Sequence, residues 1–323
     1  MTAEDEIFLD NALAEIGCKY PDHPDFAAVA SSKLAIPYFK LCMGLADDFS
    51  QTPRDAWRAF GLACLRSAQK FVVLDAIMDE GANASHVELK IGSDRRVLVE
   101  SRRLGLIAQL FDTTIYPLLF ESVGSDPEFW QSYFQHMRDY CDNCGRELLL
   151  RKEAGNCGTS IESASDDKSA MLLIVADYIC HISGPQHRYY LYSSFRYYNE
   201  AAHILDDVQD MAEDLKKRIP SVPIFRITNE LLPAESLAAA VIMKGLGNGV
   251  IMQMLDDADS FCRLAGQHAR RTDLQLEGWL ALLYDTKDAI SRVKERYRRL
   301  RETIESRLSS TSSLGSSTAA GSL

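Results

Sequence analysis

The sequence predicts an all-α, single-domain helical bundle, and three observations predict it. Long stretches carry apolar residues at helical spacing, such as 186–219, which is free of Gly and Pro, and the run DAWRAFGLACLRSAQKFVVLDAIMDEG. No convincing strand alternation and no fixed-period repeat interrupts them. No linker rich in Pro, Gly or Ser divides the pattern, and 323 residues that are 46% hydrophobic suffice for one large core.

In chain order, residues 3–17 read as a first helix, ended by the turn-rich KYPDHPDF. An amphipathic segment follows from Phe26 to Phe49, with a kink or break at Pro37. Thr52 is a candidate N-cap with Pro53 in the first turn of a helix of about seven turns that stops at Gly81. The polar GANASHVELKIGSD reads as a loop with a short helical or irregular piece. Arg95 to Val123 is periodic again, and Ser125-Asp-Pro opens a helix through Leu150. KEAGNCGTSIESASDD has loop composition. Ala170 to Ser183 is apolar nearly all round and reads as a buried helix, broken by Gly184-Pro185. A long helix then carries AAHILDDVQDMAEDLKKR, and IPSVPIFRI connects it to helices at about Ala234 to Ala269 and Leu274 to Leu308. The domain spans 1–308, and the low-complexity tail 309–323 reads as disordered.

A formal charge of -11 argues against nucleic acid as the main partner, since phosphate backbones need a basic footprint. No apolar run is long enough for a transmembrane segment, and the acidic N-terminus lacks signal-peptide features, so a cytoplasmic protein is expected. Cys141 and Cys144 form a CxxC without a second pair at zinc-ribbon spacing, and the eight cysteines read as buried apolar thiols.

Two acidic clusters stand out. Asp206, Asp210 and Asp214 recur every four residues, which brings three carboxylates to one helix face, beside the apolar Ile204, Leu205, Val208, Met211 and Leu215. Like charges at that spacing repel by a few tenths of a kcal/mol per exposed pair, and by more when buried. Such a row either faces bulk water or holds hard cations such as Mg2+, which take carboxylate oxygens and keep positions open for substrate phosphates. Asp75 and Asp79 share a face near a helix C-terminus, where the macrodipole disfavours them. Opposed across an apolar cavity, the two clusters would chelate a few Mg2+ ions around a diphosphate and assist cleavage of an allylic carbon-oxygen bond. The segment YYLYSSFRYYN, Tyr189 to Asn199, offers aromatic and hydroxyl side chains to line that cavity, or simply packs in the core.

Together the motifs resemble the class I isoprenoid (terpenoid) synthase family. ILDDVQDMAEDLKKR is similar to its second aspartate-rich motif, VLDAIMDEG to the first, and ADYICHISGP to the segment preceding the second motif in squalene and phytoene synthases. The likeness runs in order over about Asp55 to Pro220. No adjacent Asp pair opens the first motif, and no Arg-Arg-Gly follows directly, which points to a divergent, prenyltransferase-like terpene synthase branch.

The resemblance implies a bundle of the isoprenoid synthase type with a central apolar cavity. It also implies metal ligands Asp75, Asp79, Asp206, Asp210 and Asp214 for two or three Mg2+ ions, the first four being catalytic, and diphosphate ligands Arg66, Lys70, Arg188 and Lys217. Arg296-Tyr297 is similar to an Arg-Tyr pair near the C-terminus of many terpene cyclases. The expected activity is that of a terpene cyclase, a carbon-oxygen lyase that ionises a linear prenyl diphosphate and releases a hydrocarbon or alcohol. The alternatives are a prenyltransferase coupling the substrate to isopentenyl diphosphate or another acceptor, and an inactive helical scaffold. A homodimer is possible for this family.

Overall fold

A computed structural model describes residues 1–79, 85–91, 95–152, 169–217, 221–229 and 238–316. Twelve α-helices and one β-hairpin are found among them. The first is α1 (Ala3–Lys19), whose capping box joins the Thr2 side chain to the Asp5 amide and the Asp5 carboxylate to the Thr2 amide. Buried Asp5 also accepts from Arg54 and Arg58, which ties α1 to α4 (Arg54–Asp79). The amphipathic 26–49 segment is two helices, α2 (Pro24–Ala30) and α3 (Ile36–Asp48), and Pro37 falls in the first turn of the second, where its missing N–H is harmless.

After α4 the sequence expectation is corrected. Residues read as an irregular loop and the start of the periodic segment from Arg95 form an antiparallel hairpin of β1 (His86–Lys90) and β2 (Arg96–Glu100), with Val87 opposite Val99 and Leu89 opposite Val97. Val87, Leu89 and Val99 are buried, so each strand is a half-buried alternation only five residues long. Next come α5 (Ser101–Val123) and α6 (Pro127–Lys152), whose first turn donates two amides to Asp126 Oδ1. The largely apolar α7 (Ala170–Ser183) is buried along most of its length. Gly184 ends it at φ 104°, a left-handed backbone that favours glycine, and a short 3-10 turn leads into α8 (Arg188–Lys217). The connection read in IPSVPIFRI contains a short helix, α9 (Val222–Thr228). The last three helices are α10 (Ala238–Gly247), α11 (Val250–Arg270) and α12 (Glu277–Ser316). Thus α12 runs into the expected tail, and residues 153–168 and 317–323 lie outside the described residues.

Two apolar cores share α8. Leu191 and Phe195 near its start join the larger core of α1 to α7, whereas Ala201, Val208 and Met211 join a second core with α9 to α12. Buried aromatic contacts set the helix directions. Phe60 meets Phe129 and Phe71 meets Tyr140, so α4 and α6 run in parallel. Tyr192 meets His136, and Trp279 and Tyr297 meet the early and later parts of α8, so α12 runs with α8. Pairing of Ser194 with Ala265 and of Tyr197 with Phe261 sets α11 against it. At the foot of α8 a buried chain of hydrogen bonds joins three helices: Trp279 Nε1 donates to Ser194 Oγ at 2.8 Å, and Ser194 Oγ to the Ala265 carbonyl at 2.7 Å.

The crossing of α3 and α12 is closer still. A Cβ at Gly278 would stand 2.5 Å from the Gly44 carbonyl carbon and 2.7 Å from its oxygen, whereas a Cβ at Gly44 would meet Gly278 Cα at an ordinary 3.6 Å. Backbone cannot yield as a flexible side chain does. Gly278→Ala is therefore expected to destabilise by about 1–3 kcal/mol in urea unfolding while Gly44→Ala stays within about 1 kcal/mol. Equal midpoints for the two variants would contradict this packing.

Candidate active site

The acidic row occupies the later half of α8, where periodicity divides the helix. Ala201, Val208 and Met211 are fully buried, Asp206 and Asp210 are exposed at the residue level, and Asp207 and Asp214 are half-buried. Although solvent reaches Asp206, the protein around it raises its pKa by desolvation, and the Asp210 charge adds to that. Asp214 is pushed up to about 6, chiefly by burial and further by Asp210, Glu213 and Asp206; a nearby Ser221 hydroxyl opposes the rise. Among the described residues no Lys, Arg or His pairs with Asp206, Asp210 or Asp214. The row is thus held together by the backbone against its own repulsion. Tyr297 of α12 reaches the same stretch and donates to the Val208 carbonyl at 3.1 Å, packing against the second core. Its neighbour Arg296 is exposed.

The first motif belongs to the same end of the bundle. Asp75, half-buried near the end of α4, accepts a hydrogen bond from Tyr140 at 2.9 Å, and the Tyr140 ring stacks on Phe71 at 3.9 Å. Burial, then the Asp75 charge, pushes the Tyr140 phenol far above its ordinary range, so it stays a donor. Just beyond α4, Arg96 of β2 is paired with Glu88 at 2.6 Å and also feels the Glu213 charge, which places the hairpin beside the acidic end of α8. The side chains of Asp79 and Lys217 lie outside the described residues.

Aromatic groups from several helices pack in the same bundle. Tyr38 of α3 is half-buried, with Tyr198 and Cys64 close enough to act on it, and burial pushes its phenol up to about 12. The Tyr189 to Asn199 segment splits. Tyr192, Phe195, Tyr198 and Asn199 turn inward, and the buried Asn199 Nδ2 has no hydrogen-bond partner. Tyr189, Tyr190 and Tyr197 instead gather around His268 of α11, as ordinary packing.

Three of the expected diphosphate ligands, Arg66, Lys70 and Arg188, have other partners in the structure. Arg66 is 1% exposed, and its guanidinium donates to the Ala30 and Ala12 carbonyls and to Gln69. Lys70 forms a 2.6 Å ion pair with Asp112 of α5, with both side chains largely covered. Arg188 lies 3.6 Å from Asp177, a buried carboxylate that also accepts from Tyr192 at 2.5 Å and engages His136 at 2.8 Å. It begins α8, eighteen residues before Asp206, about 27 Å at a rise of about 1.5 Å per residue. Sequence reasoning missed Tyr140, Tyr38 and the hairpin. Only the hairpin left a signal, the alternating Val87, Leu89, Ile91. The adjacent Asp256 and Asp257 of α11 are ion-paired, Asp256 with Lys294 at 2.7 Å and Asp257 with Arg226 at 3.8 Å. Cys144 is buried and Cys141 exposed, both as free thiols.

Among the described residues no three His, Cys, Asp or Glu side chains converge tightly enough to hold a metal ion by themselves. The donors are hard carboxylate oxygens set in pairs, the chemistry of Mg2+ sites completed by water and phosphate oxygens.

No family model matches the chain, and no curated protein matches it in sequence. Solved structures do. Geranylgeranyl pyrophosphate synthetase from Pyrococcus horikoshii matches with a TM-score of 0.63 at 16% identity, over 88% of this chain and 96% of that one. Octaprenyl pyrophosphate synthase from Helicobacter pylori matches at 0.61 and 14%, over 90% and 100%. Geranylgeranyl pyrophosphate synthase from Corynebacterium glutamicum, complexed with isoprenyl diphosphate and magnesium, matches at 0.62 and 13%, over 90% and 98%. The fold is the all-α isoprenoid synthase fold, found here without detectable family-level sequence similarity. No described helix is long and apolar enough to cross a membrane.

The raised pKa of Asp214 fixes a pH dependence. Between the ordinary value of 3.8 and about 6 the folded chain binds more protons than the unfolded one, so this group's stabilising contribution is full below 3.8 and is lost as pH rises through 6. In EDTA, Asp214→Asn is therefore expected to gain about 1 kcal/mol at neutral pH, after discounting for solvent screening, and nothing below about pH 4. Urea unfolding across that range checks it. A gain that is constant with pH would refute the assignment.

Proposed function

We propose that the chain is an Mg2+-dependent enzyme acting on prenyl diphosphates, and that it is a prenyltransferase. The observation that carries the first part is the unneutralised row Asp206, Asp210, Asp214, at the same end of the bundle as Asp75, in a fold shared with prenyl diphosphate synthases. Those neighbours support a transferase over the cyclase that the sequence led us to expect. The cyclase stays as the second reading, favoured by the missing Asp pair and Arg-Arg-Gly of the first motif.

Asp206, Asp210 and Asp214 on one wall, with Asp75 and Asp79 on the other, would hold the metal ions. Bound magnesium would neutralise diphosphate oxygens and assist their departure as a leaving group. The chain's own part is to position and to exclude water. The Tyr140 hydroxyl fixes the orientation of Asp75, and the Phe71 and Tyr140 rings close the space below it. Tyr38 and Tyr198 present aromatic surface to an allylic cation. In the transferase reaction the allylic carbon-oxygen bond breaks with its electron pair leaving on diphosphate. The double bond of the acceptor then forms the new carbon-carbon bond, and a proton is lost. The neutral Asn199 amide, buried and unpartnered, faces this interior without adding charge.

The chain incubated with Mg2+, a C10 to C20 prenyl diphosphate and isopentenyl diphosphate is expected to yield a longer diphosphate. Asp75→Ala and Asp206→Ala should each lower kcat/KM by about 100-fold or more, from loss of charge stabilisation. Hydrocarbon or alcohol formed without an acceptor would restore the cyclase reading. The absence of any Mg2+-dependent turnover would leave the inactive scaffold.

A further inference from the structure

A concavity lies between α11 and α12, a cavity of about 230 Å3 whose polar lining is cationic. Arg263, Arg270 and Lys287 face it together with the Tyr284 hydroxyl and Gln267, and no carboxylate lines it among the described residues. This is unexpected on a chain with a formal charge of -11. Arg263 is the one cation with a counter-ion, its Nε standing 3.4 Å from Asp259 while Nη2 donates to Ser260 at 2.7 Å. Arg270 Nη2 donates only to the neutral Tyr284 hydroxyl, at 3.2 Å. Neither Arg270 nor Lys287 pairs with an acid among the described residues. Like charges gathered around one concavity repel, and an anion between them turns that repulsion into charge-assisted hydrogen bonds.

The floor is apolar. Leu283 is 5% exposed, and Leu280 lies beside it. Gly266 keeps the floor open, since a Cβ there would stand 3.5 Å from Arg270 Nη1 and 3.9 Å from Leu283 Cδ1, inside the space. The site is also remote from the acidic row. It sits at the foot of α8, at the level where Ser194 bonds Ala265 and Trp279, and Asp206 stands twelve residues further along, about 18 Å at about 1.5 Å per residue.

We propose that this pocket binds a small amphipathic anion, a phosphate or diphosphate head held by Arg270, Lys287 and Tyr284 with a short hydrocarbon part on Leu280 and Leu283. The arginine supplies a planar fork for phosphate oxygens and the lysine a mobile point charge. A volume of about 230 Å3 suits a head group and a few carbons. Because no metal is needed, the site works where the acidic row cannot. Its natural occupant is either the chain's own diphosphate chemistry acting at a second place or an unrelated phosphorylated metabolite.

Calorimetric titration in EDTA separates this site from the acidic row. The probes are inorganic diphosphate and hexyl phosphate. Both are expected to bind wild type, hexyl phosphate the tighter per charge, and to bind Arg270→Gln/Lys287→Gln at least 10-fold more weakly, about 1.4 kcal/mol. Asp206→Asn should bind both as wild type does. Binding should weaken between low and high salt. Absence of heat with both probes, equal affinity in the double variant, or loss of binding in Asp206→Asn would each overturn the proposal. Both substitutions are on a solvent-accessible rim, and an unchanged urea midpoint certifies that the variant is folded. With the EDTA removed, isopentenyl diphosphate competing with hexyl phosphate identifies the first source of occupant, and failure to compete identifies the second.

Discussion

Repulsion along Asp206, Asp210 and Asp214 is the constraint to which the rest of the molecule answers. A helix carrying such a row is not stabilised by the row, so its order must come from elsewhere along its length. That support is visible at the foot of α8, where Phe195 stacks on Trp279 at 4.0 Å and Ser194 links α11 to α12. It is visible again at the row itself, where Val208 and Met211 are fully buried one face away from the acids and Tyr297 bonds the Val208 carbonyl. One helix therefore belongs to two cores, and the acids stand where the second core meets solvent. A row that costs stability thus stands on a helix anchored in both cores.

The same logic explains the first motif. Asp75 comes near the C-terminal end of α4, against the helix dipole, and accepts a hydrogen bond from the Tyr140 hydroxyl. Tyr140 holds the carboxylate in place without itself carrying a charge. Lys70 is close in sequence yet is neutralised by Asp112 instead. Among the described residues Arg66, Lys70 and Arg188 are engaged with partners outside both motifs.

What was legible in the sequence follows from range. Helix existence and the acidic faces depend on spacings of three and four residues, so α7, α8 and the row were readable within a few residues of their ends. The cations were not readable, because the partner of a long basic side chain is chosen by tertiary contact. Arg66 points into α1 and α2 carbonyls, and Arg188 sits beside an Asp177 that looked like part of an apolar helix. The hairpin was missed for a different reason. Five-residue strands with polar alternate positions score as loop when judged by composition, and only their packing on α4 and α5 distinguishes them.

Fold and chemistry then constrain each other unequally. A bundle that matches prenyl diphosphate synthases over most of its length, at 11% to 16% identity, keeps the framework while almost every side chain has changed. In such a case the likeness carries the framework alone, and the chemistry has to be read from this chain's own side chains. The acids of α8 are costly where they stand, with Asp214 held near 6 and no described cation to relieve it. Drift toward stability would have replaced them with Asn, Gln or Lys at little packing cost, since Asp206 and Asp210 are exposed. Their joint presence at four-residue spacing, toward the end of α4 that bears Asp75, is the observation on which the proposed diphosphate site rests. The cationic cleft at the other end of α8 is argued on the same footing, from uncompensated charge of the opposite sign on a chain whose overall balance is acidic.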